Sequence, residues 1–134
     1  MPNIQMIEGV GEVYAEKLSQ AAITTSEGLL QAGATPGGRE VIAEKSGISK
    51  ELILRWVNHA DLFRVDGIGK QYAELLEAAG VDSVLELSQR NADHLRRRLS
   101  ELNDTRHLVR KVPSASQVES WIRSAAGLPR VVSH

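Results

Sequence analysis

With 134 residues, 42% hydrophobic and 25% charged, the chain is sized for about one domain and has the material for a core. It is not compositionally disordered. Cysteine is absent, which excludes disulfides and thiolate sites and fits a reducing compartment. A formal net charge of −1 and a pI near 6.4 argue against a strong nonspecific DNA binder, which carries a basic excess.

The charge is uneven along the chain. Residues 1–62 hold five Lys/Arg and eight Asp/Glu, whereas residues 63–134 hold 11 and nine. The imbalance is modest, and a solvated surface is the preferred reading over a partner footprint. No charged leader precedes a hydrophobic run, and no run approaches the ~18 apolar residues that a membrane span needs. A soluble cytoplasmic protein is expected, with no membrane partner.

Met1 to Met6 is short and carries Pro2, so a full helix is not expected there. Ile7-Glu8-Gly9-Val10-Gly11-Glu12 then reads as a tight turn opening a helix, from Gly11 to about Ala21, with Tyr14, Ala15 and Leu18 on one face. Thr24-Thr25 offers a cap for a short helix, Ser26 to Ala32. Thr35-Pro36 places a capping hydroxyl before a proline at the first helical position, and that helix runs to Gly47. Ser49 caps the next, with Leu52, Ile53, Trp56, Val57 and Ala60 as its stripe and an end near Leu62 or Phe63.

Val65-Asp66-Gly67-Ile68-Gly69-Lys70 repeats the turn and opens a helix from Gly69 to Ala79 that stops at Gly80. Asp82 or Ser83 caps a short helix through Val84, Leu85 and Leu87. Asn91 caps a longer one bearing Leu95, Leu99 and Leu102. Arg106 to Val112 reads as an irregular connection. Ser114 or Ser116 caps the last helix, with Trp121, Ile122 and Ala125 as its stripe, Gly127 as its stop and Pro129 preventing resumption. No segment sustains period-two alternation, so no sheet is expected.

The halves align. Gly9, Gly11, Tyr14, Ala15, Leu18, Ala21, Ile23 and Leu29 match Gly67, Gly69, Tyr72, Ala73, Leu76, Ala79, Val81 and Leu87 at an offset of 58. Ser49 and Trp56-Val57 match Ser114 and Trp121-Ile122 at an offset of 65, the difference falling largely after Asn103. The expected fold is all-α, about eight helices in two pseudo-symmetric units, 7–64 and 65–128. They form a single domain, 1–134, and share one core, because neither alone buries enough surface.

On these residues each turn, Ile7 to Leu18 and Val65 to Leu76, resembles a helix-hairpin-helix motif. Ala78 to Leu87 is similar to the next turn of many tandem domains of that kind. With Trp56-Val57-Asn58-His59-Ala60-Asp61-Leu62 mid-chain, the whole resembles a bacterial domain-of-unknown-function family built from tandem helix-hairpin-helix-like repeats. The resemblance supplies a fold and no established activity. DNA-binding helix-hairpin-helix proteins imply phosphate contacts through hairpin amides, sometimes with a monovalent cation on hairpin carbonyls. That carries to Gly67, Ile68, Gly69 and Lys70, and less well to Gly9, Val10, Gly11 and Glu12.

In the second hairpin the glycines permit close backbone approach, and the helix start supplies partial positive charge. Lys70 adds a point charge, Arg64 and Arg97 are candidate helpers, and Asp66 opposes them. The plain alternative is a hairpin that only turns the chain and docks Ile68 in the core. The first hairpin is flanked by Glu8 and Glu12 with Glu16 beyond, which would repel phosphate and points to structural use.

Arg96-Arg97-Arg98 fans widely around a helix, so the three cannot share one groove; a solvated face is the preferred reading over one of them lining a shared face with Lys70 or Arg90. Gly33-Ala34-Thr35-Pro36-Gly37-Gly38-Arg39-Glu40 superficially matches a phosphate-binding loop, but Arg39 and Glu40 stand where lysine and a hydroxyl belong and no strand precedes it. Gly37-Gly38 is better read as a close approach of two helices. The histidines show no ligand spacing, so neither a metal nor a cofactor is expected. Tyr14 and Tyr72 offer rings that could stack on a base, but their repetition at the same helical position beside Ala and Leu favours core anchoring, as for Trp56 and Trp121. No nucleophile or acid–base constellation is visible, and an enzyme is not expected. The expectation is a binding module: weak, sequence-independent nucleic-acid binding through Gly67, Ile68, Gly69 and Lys70 with Arg64 and Arg97, or alternatively a protein-interaction or assembly module whose hairpins are purely structural.

Overall fold

The computed structural model describes residues 3–134. The expectation at Met1 and Pro2 lies outside the described residues. The architecture is all-α. A 3-10 turn at Ile4–Met6 leads into α1 (Glu12–Ser19), α2 (Ser26–Ala32), α3 (Pro36–Ser46), α4 (Lys50–Leu62), α5 (Lys70–Ala78), α6 (Val84–Ser88), α7 (Ala92–Arg106) and α8 (Ala115–Ala126). Among the described residues there is no sheet. An isolated antiparallel bridge joins Asn3 and Thr25, with Ile4 N–H donating to Thr24 O at 3.1 Å.

Two compact units are present. One takes in residues up to Asp61 together with Val131–His134, the other Leu62–Arg130. In the first unit, Ile4, Ile7, Val10, Leu18, Ile23, Leu29, Ile42, Ile53 and Trp56 are buried. Ile7 closes onto Ile4 O at 3.2 Å through its amide, so the 3-10 turn fixes the entry to the first hairpin. In the second unit one cluster joins Leu62, Val65, Ile68, Leu75, Leu76, Val84, Leu87, Leu95, Leu99, Val118 and Trp121. Apolar residues on α5, α6, α7 and α8 fall at helical spacing and face that cluster, which is why each segment is a helix and where its stripe is buried.

Most helix starts follow the sequence signals. Thr25 Oγ1 accepts from Gly28 N at 2.9 Å, and Thr35 Oγ1 from Gly38 N at 3.1 Å. Ser49 Oγ accepts from Leu52 N at 3.3 Å, and Asn91 Oδ1 from His94 N at 3.1 Å. Two alternatives are decided. Ser83, not Asp82, caps α6, accepting from Glu86 N at 3.1 Å. Ser114, not Ser116, caps α8, accepting from Gln117 N at 3.2 Å.

Local geometry recurs at the aligned positions. Gly9 and Gly67 have φ of +93° and +92°. Tyr14 meets Trp56 edge-on at 5.0 Å and 63°, and Tyr72 meets Trp121 at 5.1 Å and 61°. After each hairpin helix the chain turns through a left-handed residue, Ala22 at φ 62° and Gly80 at φ 87°. It then returns an amide to the same carbonyl position, Ile23 to Leu18 O at 3.0 Å and Val81 to Leu76 O at 2.9 Å.

The connection between α7 and α8 is pinned rather than loose. Asn103 Nδ2 donates to Val109 O at 3.0 Å, and its Oδ1 accepts from Val109 N at 2.9 Å. Tyr72 Oη donates to Lys111 O at 3.0 Å. The connection between α7 and α8 is thus tied to α7 by one amide side chain and to α5 by one phenol.

Candidate nucleic-acid interface

The second hairpin is two tight turns in succession. Val65 N–H donates to Leu62 O, and Ile68 N–H to Val65 O, each at 3.1 Å. Gly67 supplies the positive φ between them, and a Cβ there would sit 3.0 Å from Trp121 Nε1. Two demands therefore fix glycine at 67, backbone sign and space. Ile68 is buried at 4% exposure, so the hairpin plugs the second core with its apolar residue.

Gly69 is different. It is the N-cap of α5 at φ −107° and ψ −161°, extended backbone open to any residue, and no side-chain cap is made. A Cβ at 69 would meet nothing within 4 Å. Ala73 N–H reaches Gly69 O at 2.9 Å. The amides before Ala73 belong to the first turn, whose donors no helix satisfies internally. Gly69, Lys70, Gln71 and Tyr72 line one shallow recess at that helix start.

The first hairpin has the same frame with different flanks. Gly11 caps α1 at φ −91° and ψ −166°, again without a side-chain bond, and no atom lies within 4 Å of a Cβ placed there. Glu12 opens α1 where Lys70 opens α5. A carboxylate beside those amides satisfies the partial charge of the helix start that an anion would otherwise use. α1 and α5 are the two helices that open directly after a glycine pair, and both lack the hydroxyl or amide cap that Thr25, Thr35, Ser49, Ser83, Asn91 and Ser114 give the rest.

The remaining candidates are not gathered at this recess. Arg64 Nη2 donates to Pro129 O at 2.6 Å and so ties down the chain after α8. Arg97 lines a separate recess on α7 with His94, Arg98 and Glu101. Arg98 and Glu101 pair loosely at 3.9 Å. Arg96, Arg97 and Arg98 are all exposed, as a solvated helix face requires. Tyr72 is partly buried against Trp121 and hydrogen-bonded through its hydroxyl, which makes it an anchor and not a stacking platform. Tyr14 is likewise set against Trp56, with Lys17 Nζ 5.8 Å from its ring centroid.

The glycine-rich segment before α3 is a packing device. A Cβ on Gly38 would lie 2.2 Å from Ala32 O, so α3 starts hard against the end of α2, while Gly37 is open. Arg39 is buried at 5% exposure, and its guanidinium donates to Gly33 O and Ser133 O, each at 2.8 Å. Burial pushes the Arg39 pKa below its ordinary value through desolvation. With its donors committed to two carbonyls, Arg39 is not presented to a phosphate. Sequence reasoning placed neither this arginine nor the buried polar run Asn58, His59 and Asp61 on α4. A charged residue immediately after a Gly-Gly pair that packs against a helix end was the available signal for Arg39.

Among the described residues no group of three or more His, Asp or Glu is placed to hold a metal ion, and no helix is long and apolar enough to cross a membrane. A family model described as a domain of unknown function (DUF4332) matches residues 8–128. No curated protein and no solved structure matches the chain.

Proposed function

The chain belongs to the DUF4332 family, and from the start of α5 we propose that it is a non-enzymatic module that binds nucleic-acid backbone weakly and without regard to sequence. The helix-hairpin-helix reading of its two glycine turns is part of the same proposal, as is the pseudo-symmetry of the two units. One observation carries it. At Gly69 neither φ nor space requires glycine, yet the side-chain cap that six other helices possess is missing there, at a helix start that Lys70 opens. A helix start with no side-chain cap, approached without a Cβ and opened by a lysine, suits a phosphate oxygen.

Arg64 and Arg97 act at a distance, through the field of the second unit, since they do not line the recess. Few phosphates are therefore contacted. For two or three of them, the slope of log K against log salt on duplex DNA is about −2 to −3.

The test is fluorescence anisotropy with single- and double-stranded DNA at low salt. Gly69→Ser fills the cap without changing charge, and Lys70→Glu inverts the point charge. Each should weaken binding, by about threefold and about tenfold respectively. Absence of binding at tens of micromolar protein, or binding indifferent to both substitutions, sinks the reading.

A protein-interaction or assembly role is the second reading. It is favoured by the first hairpin, which keeps the same backbone frame with Glu12 in front of its amides, as a frame used for packing alone would. Concentration-dependent light scattering tests self-association. A strictly monomeric protein that binds DNA as described removes this reading.

A further inference from the structure

The segment Val131–His134 is seated on the first unit like a bound peptide. Val132 is buried at 2% exposure. Both main-chain groups of Ser133 are used: its N–H donates to Ala34 O at 2.8 Å, and its C=O accepts from Arg39 Nη2 at 2.8 Å. Ser133 Oγ adds a bond to Ala34 O at 3.3 Å. His134 Nε2 lies 3.0 Å from Asn58 Oδ1. The receiving groups also have contacts of their own within the first unit. Arg39 is fixed by Gly33 O at 2.8 Å, and Asn58 is buried at 7% exposure within α4.

This is the division of labour of a peptide-binding site: main-chain hydrogen bonds give affinity, and an apolar pocket beside them gives selectivity. We propose that the cleft bounded by Ala34, Arg39 and Asn58 is a peptide-binding site of the first unit. Its resident ligand is the chain's own Val131–His134, and the same segment of a second copy of this chain can replace it. The chemistry it selects is a buried aliphatic residue followed by one whose N–H and C=O are both free. Arg39 enforces occupancy, because a desolvated guanidinium without an acceptor is costly.

The tether sets the expected contrast. The tether is short, and Pro129 within it is held by Arg64; at an effective concentration of about 1 mM or more and an affinity of about 0.1 mM, an added peptide competes at a disadvantage of about tenfold. The experiment uses the full chain and a labelled Leu128–His134 peptide, read by anisotropy. Val132→Asp in the chain places a carboxylate at a buried position and releases the resident segment. The peptide should then bind about tenfold tighter than to the wild-type chain. A peptide carrying Ser133→Pro, which has no N–H, should bind at least about tenfold more weakly than the native peptide.

A second measurement needs no variant of the protein. In the wild-type chain, millimolar peptide should displace the resident segment and move the Ser133 amide resonance to its unbound position. A folded Val132→Asp chain that binds neither peptide, or a Ser133 resonance that does not respond to millimolar peptide, overturns the proposal. Neither result bears on DNA binding at α5, which is read by a different probe.

Discussion

The two glycines of the second hairpin should respond to alanine in opposite ways. At Gly67 the added Cβ meets two penalties. A non-glycine residue at φ +92° is strained, which costs about 1–3 kcal/mol. The Cβ also lands 3.0 Å from Trp121 Nε1, on a ring that is 2% exposed and held edge-on by Tyr72, so it has little room to move. Overpacking of this kind costs about 1–3 kcal/mol, and the sum for Gly67→Ala is about 3 kcal/mol. At Gly9 the strain is the same but the Cβ contact is an ordinary 3.4 Å, so Gly9→Ala should cost about 1–2 kcal/mol. At Gly69 neither penalty applies, and Gly69→Ala should stay within about 0.5 kcal/mol of wild type. Gly69→Ser should stabilise by a few tenths, about the difference between the two residues as caps. Urea unfolding followed by far-UV circular dichroism reads all four. If Gly67→Ala falls within about 0.5 kcal/mol of wild type, or if Gly69→Ala costs as much as Gly67→Ala, then the distinction between a glycine needed for folding and a glycine left open is wrong.

Ala22 occupies the left-handed position at φ 62° that Gly80 fills in the second unit. Ala22→Gly should therefore stabilise the first unit by about 0.5–1 kcal/mol, measured by the same unfolding assay. A loss of stability would refute the strain assigned to Ala22. Asn103 satisfies both main-chain groups of Val109. Asn103→Ala should cost about 2 kcal/mol and speed amide exchange at Val109. Asn103→Asp keeps the acceptor, sets a carboxylate against Val109 C=O, and should fall between the two.

Local chemistry was enough to read the helices. Thr35-Pro36, Asn91 and Ser114 are start signals because a hydroxyl or amide one residue before a helix satisfies a specific orphan amide, whatever packs nearby. The apolar spacing that put Trp56 and Trp121 inside is likewise a property of the helix repeat alone. The match of the halves at an offset of 58 is visible in the letters, and so is the contrast of Glu12 with Lys70. Tertiary structure decided what the letters left equal. Gly67 and Gly69 look alike in sequence, but only a folded Trp121 can crowd one and leave the other open, because the tryptophan lies more than fifty residues away. Arg64 and Arg97 look like neighbours of the site by charge, and the fold gives one to Pro129 and the other to a different face. Arg39 in the sequence is only a cation after two glycines. It is buried because a segment near residue 133 supplies the carbonyl it needs. Capping, turns and helical stripes are set by interactions within a few residues and so are legible in order along the chain. Who receives a guanidinium or crowds a glycine is set by residues distant in sequence, and only the packed structure brings them into range.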